Sequence, residues 1–275
     1  MFWVIQNNLY NEYGYTVLID TLDRLNIQYV DVKVVPFFDI LAPVDFDSHS
    51  YQKEIDKSIE PIIDDTGLVM VCGSLTLAKI AKQIGWVPGS FINDNFHYNE
   101  WKKAYGENLL NFDSVVGYLN TIKLTWDEFF IRPCEDTKEF SGMVLTKDQL
   151  YACQNGLIVE GIQYCDSNPL VIAAPLREIY NEYRFFVIDG QIITYSQYKL
   201  GNKIVHSPYV DEEIIKFTQK MVDNWQPARA FVIDIALIPE GLKVIEINNF
   251  NSAGFYASDV NKIVGAIENM KFNIR

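Results

Sequence analysis

What this sequence has little of narrows it first. It has four cysteines, Cys72, Cys134, Cys153 and Cys165, none of them paired as C-x-x-C, and Cys72 lies inside an apolar run. They read as reduced thiols of a cytoplasmic protein rather than as disulfides or zinc ligands. Its three histidines, His49, His97 and His206, are scattered and lack H-E-x-x-H or any similar metal spacing. Positive charge is also short: 23 Lys and Arg against 36 Asp and Glu give 23 − 36 = −13, with a pI near 4.7. That balance, with no basic stripe carrying interleaved aromatics, excludes a protein built chiefly to hold nucleic acid or anionic lipid. Apolar runs such as Gly67 to Leu77 fall short of the roughly 20 residues a membrane helix needs. The opening MFWVIQNN lacks the basic region and apolar stretch of a signal peptide. No membrane partner is expected. G-x-x-x-x-G-K-[ST], internal repeats and low-complexity segments are missing as well.

What is there is enough for a large core. The chain has 275 residues, 49% apolar and 21% charged, and at roughly 100–200 residues per domain it makes two domains or one large one. The first stretch reads as strand Phe2–Gln6, helix Tyr15–Leu25, strand Gln28–Val35, strand Leu68–Cys72, and a helix capped by Ser74 and running to about Ile84. Strands alternating with helices over short links predict an α/β layer on parallel strands. Pro88-Gly89 breaks the pattern, so a domain boundary is expected near residue 90. The remainder has α+β character: a strand at Phe129–Arg132, a helix from Thr146, two hairpins, and helices at Asp211–Trp225 and Ser258–Met270.

The hairpins put charged residues together. Asn181–Ile188 and Gln191–Lys199 are joined by Asp189-Gly190, the sequence of a two-residue type I′ turn. That register sets Glu182 and Arg184 on one face, with Lys199 farther along it, and leaves Tyr183, Phe185 and Val187 for the core. The competing reading is a solvated pair on an exposed face. In the second hairpin, Pro239-Glu240-Gly241 links Arg229–Ile238 to Leu242–Asn248. Counting back sets Asp234 opposite Glu246, with Asn248 on the same face and Ile233, Ile235, Leu237, Ile245 and Ile247 forming an apolar layer on the other. Opposed carboxylates repel, and a cation removes that penalty. Asp, Glu and Asn offer oxygen ligands only, which suits Mg²⁺ completed by water and substrate phosphates. The polar loop Pro133 to Gly142 contains Lys138, Ser141 and Gly142, and could meet phosphate with an ammonium and backbone N–H donors.

In this order these elements resemble the ATP-grasp superfamily, in particular a phage and bacterial clade of it, over most of the chain. The resemblance implies a preceding Rossmann-like α/β domain at 1–90, then an α+β ATP-grasp fold at 91–275 whose two subdomains hold nucleotide. FVIDIALIPEGLKVIEIN is its most specific piece, matching Asp234, Glu246 and Asn248 to the family's Mg²⁺ ligands. EYRFFVIDG is similar to the strand after the adenine-binding hinge. The hinge then falls at Ala173–Leu176, making Ala174, Leu176 and Glu182 nucleotide contacts. FIRP matches the strand that usually supplies a phosphate-binding lysine before proline, and here that residue is Arg132. Two departures stand out. EDTKEFSG replaces the glycine-rich phosphate loop, with Lys138 as its phosphate contact, and Val232 stands where some family ligases carry arginine. Arg184 or Lys199 would then neutralise the reacting phosphate.

The resemblance implies an ATP- and Mg²⁺-dependent ligase that activates a small-molecule or peptide carboxylate as an acyl-phosphate. An amine, or a thiol, then displaces phosphate. A kinase acting on a hydroxyl and a nucleotide-binding protein without turnover are the alternatives. By the same analogy a homodimer is one assembly open to the chain, and the sequence does not fix its oligomeric state.

Overall fold

The structure, a computed structural model, describes residues 1–7, 14–35, 40–43, 67–91, 97–134, 140–157, 159–162 and 168–272. Strand β1 (Phe2–Gln6) is buried at every position. It lies between two parallel partners, β2 (Tyr29–Val35) and β4 (Leu68–Cys72). A parallel strand covered on both faces reads as a continuous apolar run, and here the two faces go to different helices. Trp3, Ile5 and Met70 pack with Leu18 and Leu22 of α1 (Tyr15–Arg24) and with Ile263, Val264 and Ile267 of the last helix. Phe2, Val4, Val69 and Val71 pack with Leu77, Ile80 and Ala81 of α2 (Leu75–Ile84). As expected, Ser74 caps α2, its side chain accepting from the Leu77 N–H at 3.4 Å. Strand β3 (Ile40–Pro43), not foreseen, is an antiparallel edge on β2, and β5 (Val87–Gly89) completes the order β3-β2-β1-β4-β5.

A four-stranded sheet follows: β6 (Val115–Tyr118), β7 (Glu128–Pro133), β8 (Met143–Thr146) and β9 (Leu170–Pro175), in the order β6-β9-β7-β8 with every pair antiparallel. Before it stands helix α3 (Tyr98–Tyr105), and after β8 comes α4 (Lys147–Gln154), which Thr146 and Gln149 start with a reciprocal capping box. Phe129, Ile131, Leu145, Val171 and Ala173 form the apolar face under α4.

Both hairpins lie in a third sheet of order β12-β11-β10-β13-β14. Its strands are β10 (Asn181–Ile188), β11 (Gln191–Leu200), β12 (Lys203–Ser207), β13 (Ala230–Ile238) and β14 (Gly241–Asn249). Asp189 and Gly190 both have positive φ, 46° and 77°, as a type I′ turn requires. A Cβ on Gly190 would meet the Gln226 amide at 2.9 Å. Strand β14 starts one residue earlier than expected, at Gly241, whose φ is 111°. Helix α5 (Glu212–Asn224) separates β12 from β13, and α6 (Val260–Glu268), capped by Asp259, is the last helix among the described residues.

By contact density the chain divides into 1–93 with 182–234 and 247–275, and 94–181 with 235–246. The second unit is therefore discontinuous in sequence. Leu110 N–H donates to Val244 C=O and Tyr180 N–H to Leu237 C=O, both at 2.8 Å, and Leu110, Ala236 and Ile238 pack together. Ile245 packs with that group rather than in the opposite layer expected of it. Strand β13 is buried on both faces, because Val232 also packs with Phe186, Ile188 and α6. The apolar layer expected on one face is thus joined by apolar packing on the face that carries Asp234.

Candidate functional site

Asp234 sits in the middle of β13, and its accessible surface is 0%. A carboxylate removed from water must be compensated, and the compensation comes from the neighbouring strand. Arg184 of β10 donates from Nε to Oδ1 at 2.9 Å and from Nη2 to Oδ2 at 2.7 Å, a bidentate fork. Asn248 of β14 donates from Nδ2 to the same Oδ2 at 3.1 Å. Arg184 is itself buried, at 9%, and its Nη1 reaches the Gly254 carbonyl at 3.3 Å. Its guanidinium carbon lies 5.5 Å from the Tyr198 ring centroid and 5.1 Å from that of Tyr256. Burial pulls the Arg184 pKa down, but the charge and hydrogen bonds of Asp234 outweigh it and hold the guanidinium above its ordinary value.

Beside this pair lies a second one. Glu182, buried at 8%, accepts from Lys199 Nζ on Oε1 at 2.6 Å and from the Tyr198 hydroxyl on Oε2 at 2.7 Å. Tyr198 and Lys199 are adjacent in sequence, so a regular strand would send them to opposite faces. The register between β11 and β12 shifts between Gln197 and Lys199, an irregularity of the kind that re-aims side chains near sites. Burial first, then the negative charges of Asp234 and Glu182, push the Tyr198 hydroxyl well above the ordinary tyrosine range. The exposed-face reading of Glu182 and Arg184 does not hold.

The segment after β14 is fixed by Asn251. Its Oδ1 accepts from the Phe91 N–H at 2.8 Å and its Nδ2 donates to the Val71 carbonyl, while its own carbonyl accepts from the Gly73 N–H at 2.8 Å. Tyr256, five residues on, has φ 48°, a left-handed conformation that costs a bulky residue energy and marks a constrained site.

Of the residues singled out in the sequence, Arg184, Asp234 and Asn248 are thus joined in one hydrogen-bonded set and Glu182 and Lys199 in another. Glu246, two positions before Asn248 on β14, is half-buried. Arg132 lies on β7, its guanidinium 5.4 Å from the Trp101 ring centroid. Ala174 is buried within β9 opposite Phe130, and Leu176 is the first residue past that strand and exposed. Pairing of β9 with β6 stops at Ala173, whereas pairing with β7 continues to Pro175. Lys138 lies outside the described residues. Sequence reasoning missed Tyr198 and Tyr256, because nothing in periodicity separates them from the other tyrosines.

The family model of the ATP-grasp domain, R-two-K clade family 3, matches residues 74–267. The chain belongs to the ATP-grasp family. The ATP-grasp fold expected from the sequence, with an α/β layer before it, is the one found. The chain is similar to D-cycloserine synthetase DcsG, with a TM-score of 0.58 and 10% identity over 97% of this chain and 98% of that one. It is also similar to N5-carboxyaminoimidazole synthetase from Staphylococcus aureus, with a TM-score of 0.62 and 9% identity over 99% of this chain and 78% of that one. The D-alanine–D-alanine ligase from Bacillus anthracis gives 0.56 and 12% over 97% and 92%. No curated protein matches the sequence. Among the described residues no helix is long and apolar enough to cross a membrane.

ATP-grasp proteins generally bind ATP with Mg²⁺, and the donor set fits that ion. Asp234, Glu246 and Asn248 present oxygen, the ligand Mg²⁺ takes. Among the described residues there is no group of three or more His, Cys, Asp or Glu that could hold a metal ion.

Proposed function

We propose that this ATP-grasp chain is an ATP- and Mg²⁺-dependent carboxylate–amine ligase. One observation carries the reading: two acid–base pairs with buried carboxylates, Asp234 with Arg184 and Glu182 with Lys199, lie side by side at the hairpin that bears the metal-type residues. Buried charge of this density is costly to fold and is concentrated where charged ligands react. The ligase and synthetase names of the structural neighbours support the same class.

Asp234, Glu246 and Asn248 would hold Mg²⁺, which would supply positive charge to offset that of the phosphates. Arg132 and Lys138 would meet the phosphates, and backbone groups at Ala174 and Leu176 the adenine. Lys199, whose side chain is 38% exposed, is the basic group best able to leave its partner and follow the transferred phosphoryl, while Glu182 orients it. In the reaction a substrate carboxylate oxygen bonds to the γ-phosphorus as the bridging bond to ADP breaks. The amine nitrogen then attacks the acyl carbon, phosphate departs, and the amine gives up a proton. The substrates are small-molecule or peptide carboxylates and amines.

The test is thermal unfolding with ATP plus Mg²⁺ and with ATP plus chelator, on wild type and Glu246→Gln, followed by ADP release with panels of carboxylates and amines. The reading expects a rise in melting temperature that needs both Mg²⁺ and Glu246, and ADP release that needs both substrates. A Mg²⁺-dependent rise without turnover on any panel would replace it with nucleotide binding alone, and ADP release with hydroxyl acceptors only would make the protein a kinase.

A further inference from the structure

The sequence calls for a cation beside Asp234, and the fold already supplies one. Arg184 meets both carboxylate oxygens, so the buried pair is electrically neutral before any metal arrives. The guanidinium is also held from its other sides, by the Gly254 carbonyl and by the faces of Tyr198 and Tyr256. Those rings stack on each other with centroids 5.0 Å apart and planes 15° apart, and Tyr256 keeps a strained backbone while doing so. A side chain gripped in this way does not swing aside cheaply. A second buried carboxylate on the same strand as Arg184, Glu182, is neutralised by Lys199. A lone divalent cation approaching Asp234 therefore meets a compensated carboxylate and a fixed guanidinium charge, and like charges a few ångströms apart in a partly desolvated site repel strongly.

A metal carried by a polyphosphate meets a different balance. The phosphates bring negative charge and additional oxygen ligands, so the metal can share Asp234 with Arg184 while the guanidinium faces an anionic complex. We propose that Arg184 is the resident counter-ion of Asp234, a positioning residue that refuses free divalent cation and makes metal binding at β13 and β14 depend on nucleotide. The inference rests on the nucleotide-binding reading and assigns Arg184 a role distinct from contact with the transferred phosphoryl.

The experiment is a Mn²⁺ titration read by electron paramagnetic resonance, with and without an ATP analogue that cannot be hydrolysed between its β- and γ-phosphates. Wild type, Arg184→Met and Arg184→Lys are compared, each checked for folding by circular dichroism. Wild type is expected to bind Mn²⁺ about tenfold or more tightly with the analogue than without it. Arg184→Met, which removes the resident charge, is expected to bind free Mn²⁺ about tenfold more tightly than wild type. Arg184→Lys keeps the charge and stays close to wild type. Free Mn²⁺ bound by wild type as tightly as the nucleotide complex overturns the inference, as does unchanged free-Mn²⁺ affinity in folded Arg184→Met. Should Arg184→Met not fold, the wild-type comparison alone decides. Failure of the analogue to bind wild type overturns the nucleotide reading, and the nucleotide-free arm still decides the role of Arg184.

Discussion

Tyr256 lies face to face with Tyr198, ring centroids 5.0 Å apart, and the pair supports the Arg184 guanidinium from one side. The two residues come from different parts of the sequence. One belongs to the strand whose neighbour Lys199 pairs with Glu182, the other to the segment that follows the metal-type strand. Their stacking ties the two acid–base pairs into one unit.

Removing the Tyr256 ring is therefore expected to cost stability, by about 1–2 kcal/mol for Tyr256→Ala in urea unfolding. Tyr256→Phe keeps the ring and should stay within about 0.5 kcal/mol of wild type. Tyr256→Gly should lose less than Tyr256→Ala, since glycine adopts the φ of 48° without strain. Equal losses for alanine and glycine would show that the backbone strain is not real.

Asn251 offers a second test, of the fold alone. Asn251→Ala leaves the Phe91 N–H and the Val71 carbonyl without their side-chain partner in a buried place. Each such group costs about 1–3 kcal/mol, so the variant should unfold at clearly lower denaturant with an unchanged slope. A loss under about 0.5 kcal/mol would mean that water takes over both groups.

Alkali should act through buried tyrosines. Burial, followed by nearby acidic charge, raises the hydroxyl of Tyr198, burial followed by the hydrogen bond to Asp31 raises that of Tyr15, and burial alone raises Tyr105, above the ordinary value of 10.0. A folded-state pKa above the unfolded one gives stability that is complete below about pH 10 and lost as pH climbs toward the folded value. The melting temperature should accordingly fall above pH 10, and fewer than the sixteen tyrosines should ionise by ultraviolet absorbance before unfolding. Ionisation of all sixteen near pH 10 in the folded protein would contradict these burials. Tyr198→Phe should make the alkaline fall shallower.

Much of the architecture was legible in one dimension. Strands Phe2–Gln6 and Leu68–Cys72, the Ser74 cap, the Asp189-Gly190 turn and helix α5 follow from local rules of periodicity, capping and positive φ. Strands β3, β5, β6, β8 and β12 did not declare themselves, because three to five residues are too few to display a period. Two-residue alternation also put Glu182, Arg184 and Lys199 on a shared face, and Lys199 does pair with Glu182, while Arg184 turns to Asp234 of the neighbouring strand.

The sequence by itself determined the class of the fold, the two hairpins and the acidic and amide residues they carry, since these depend on neighbours a few positions apart. Only the tertiary structure decided that Asp234 has no surface, that its counter-ion is Arg184, fifty positions away, and that Tyr198 and Tyr256 brace it. The reason is physical. Burial and charge compensation are properties of what packs across a sheet, and a strand covered on both faces shows no alternation from which its buried polar residue could be read.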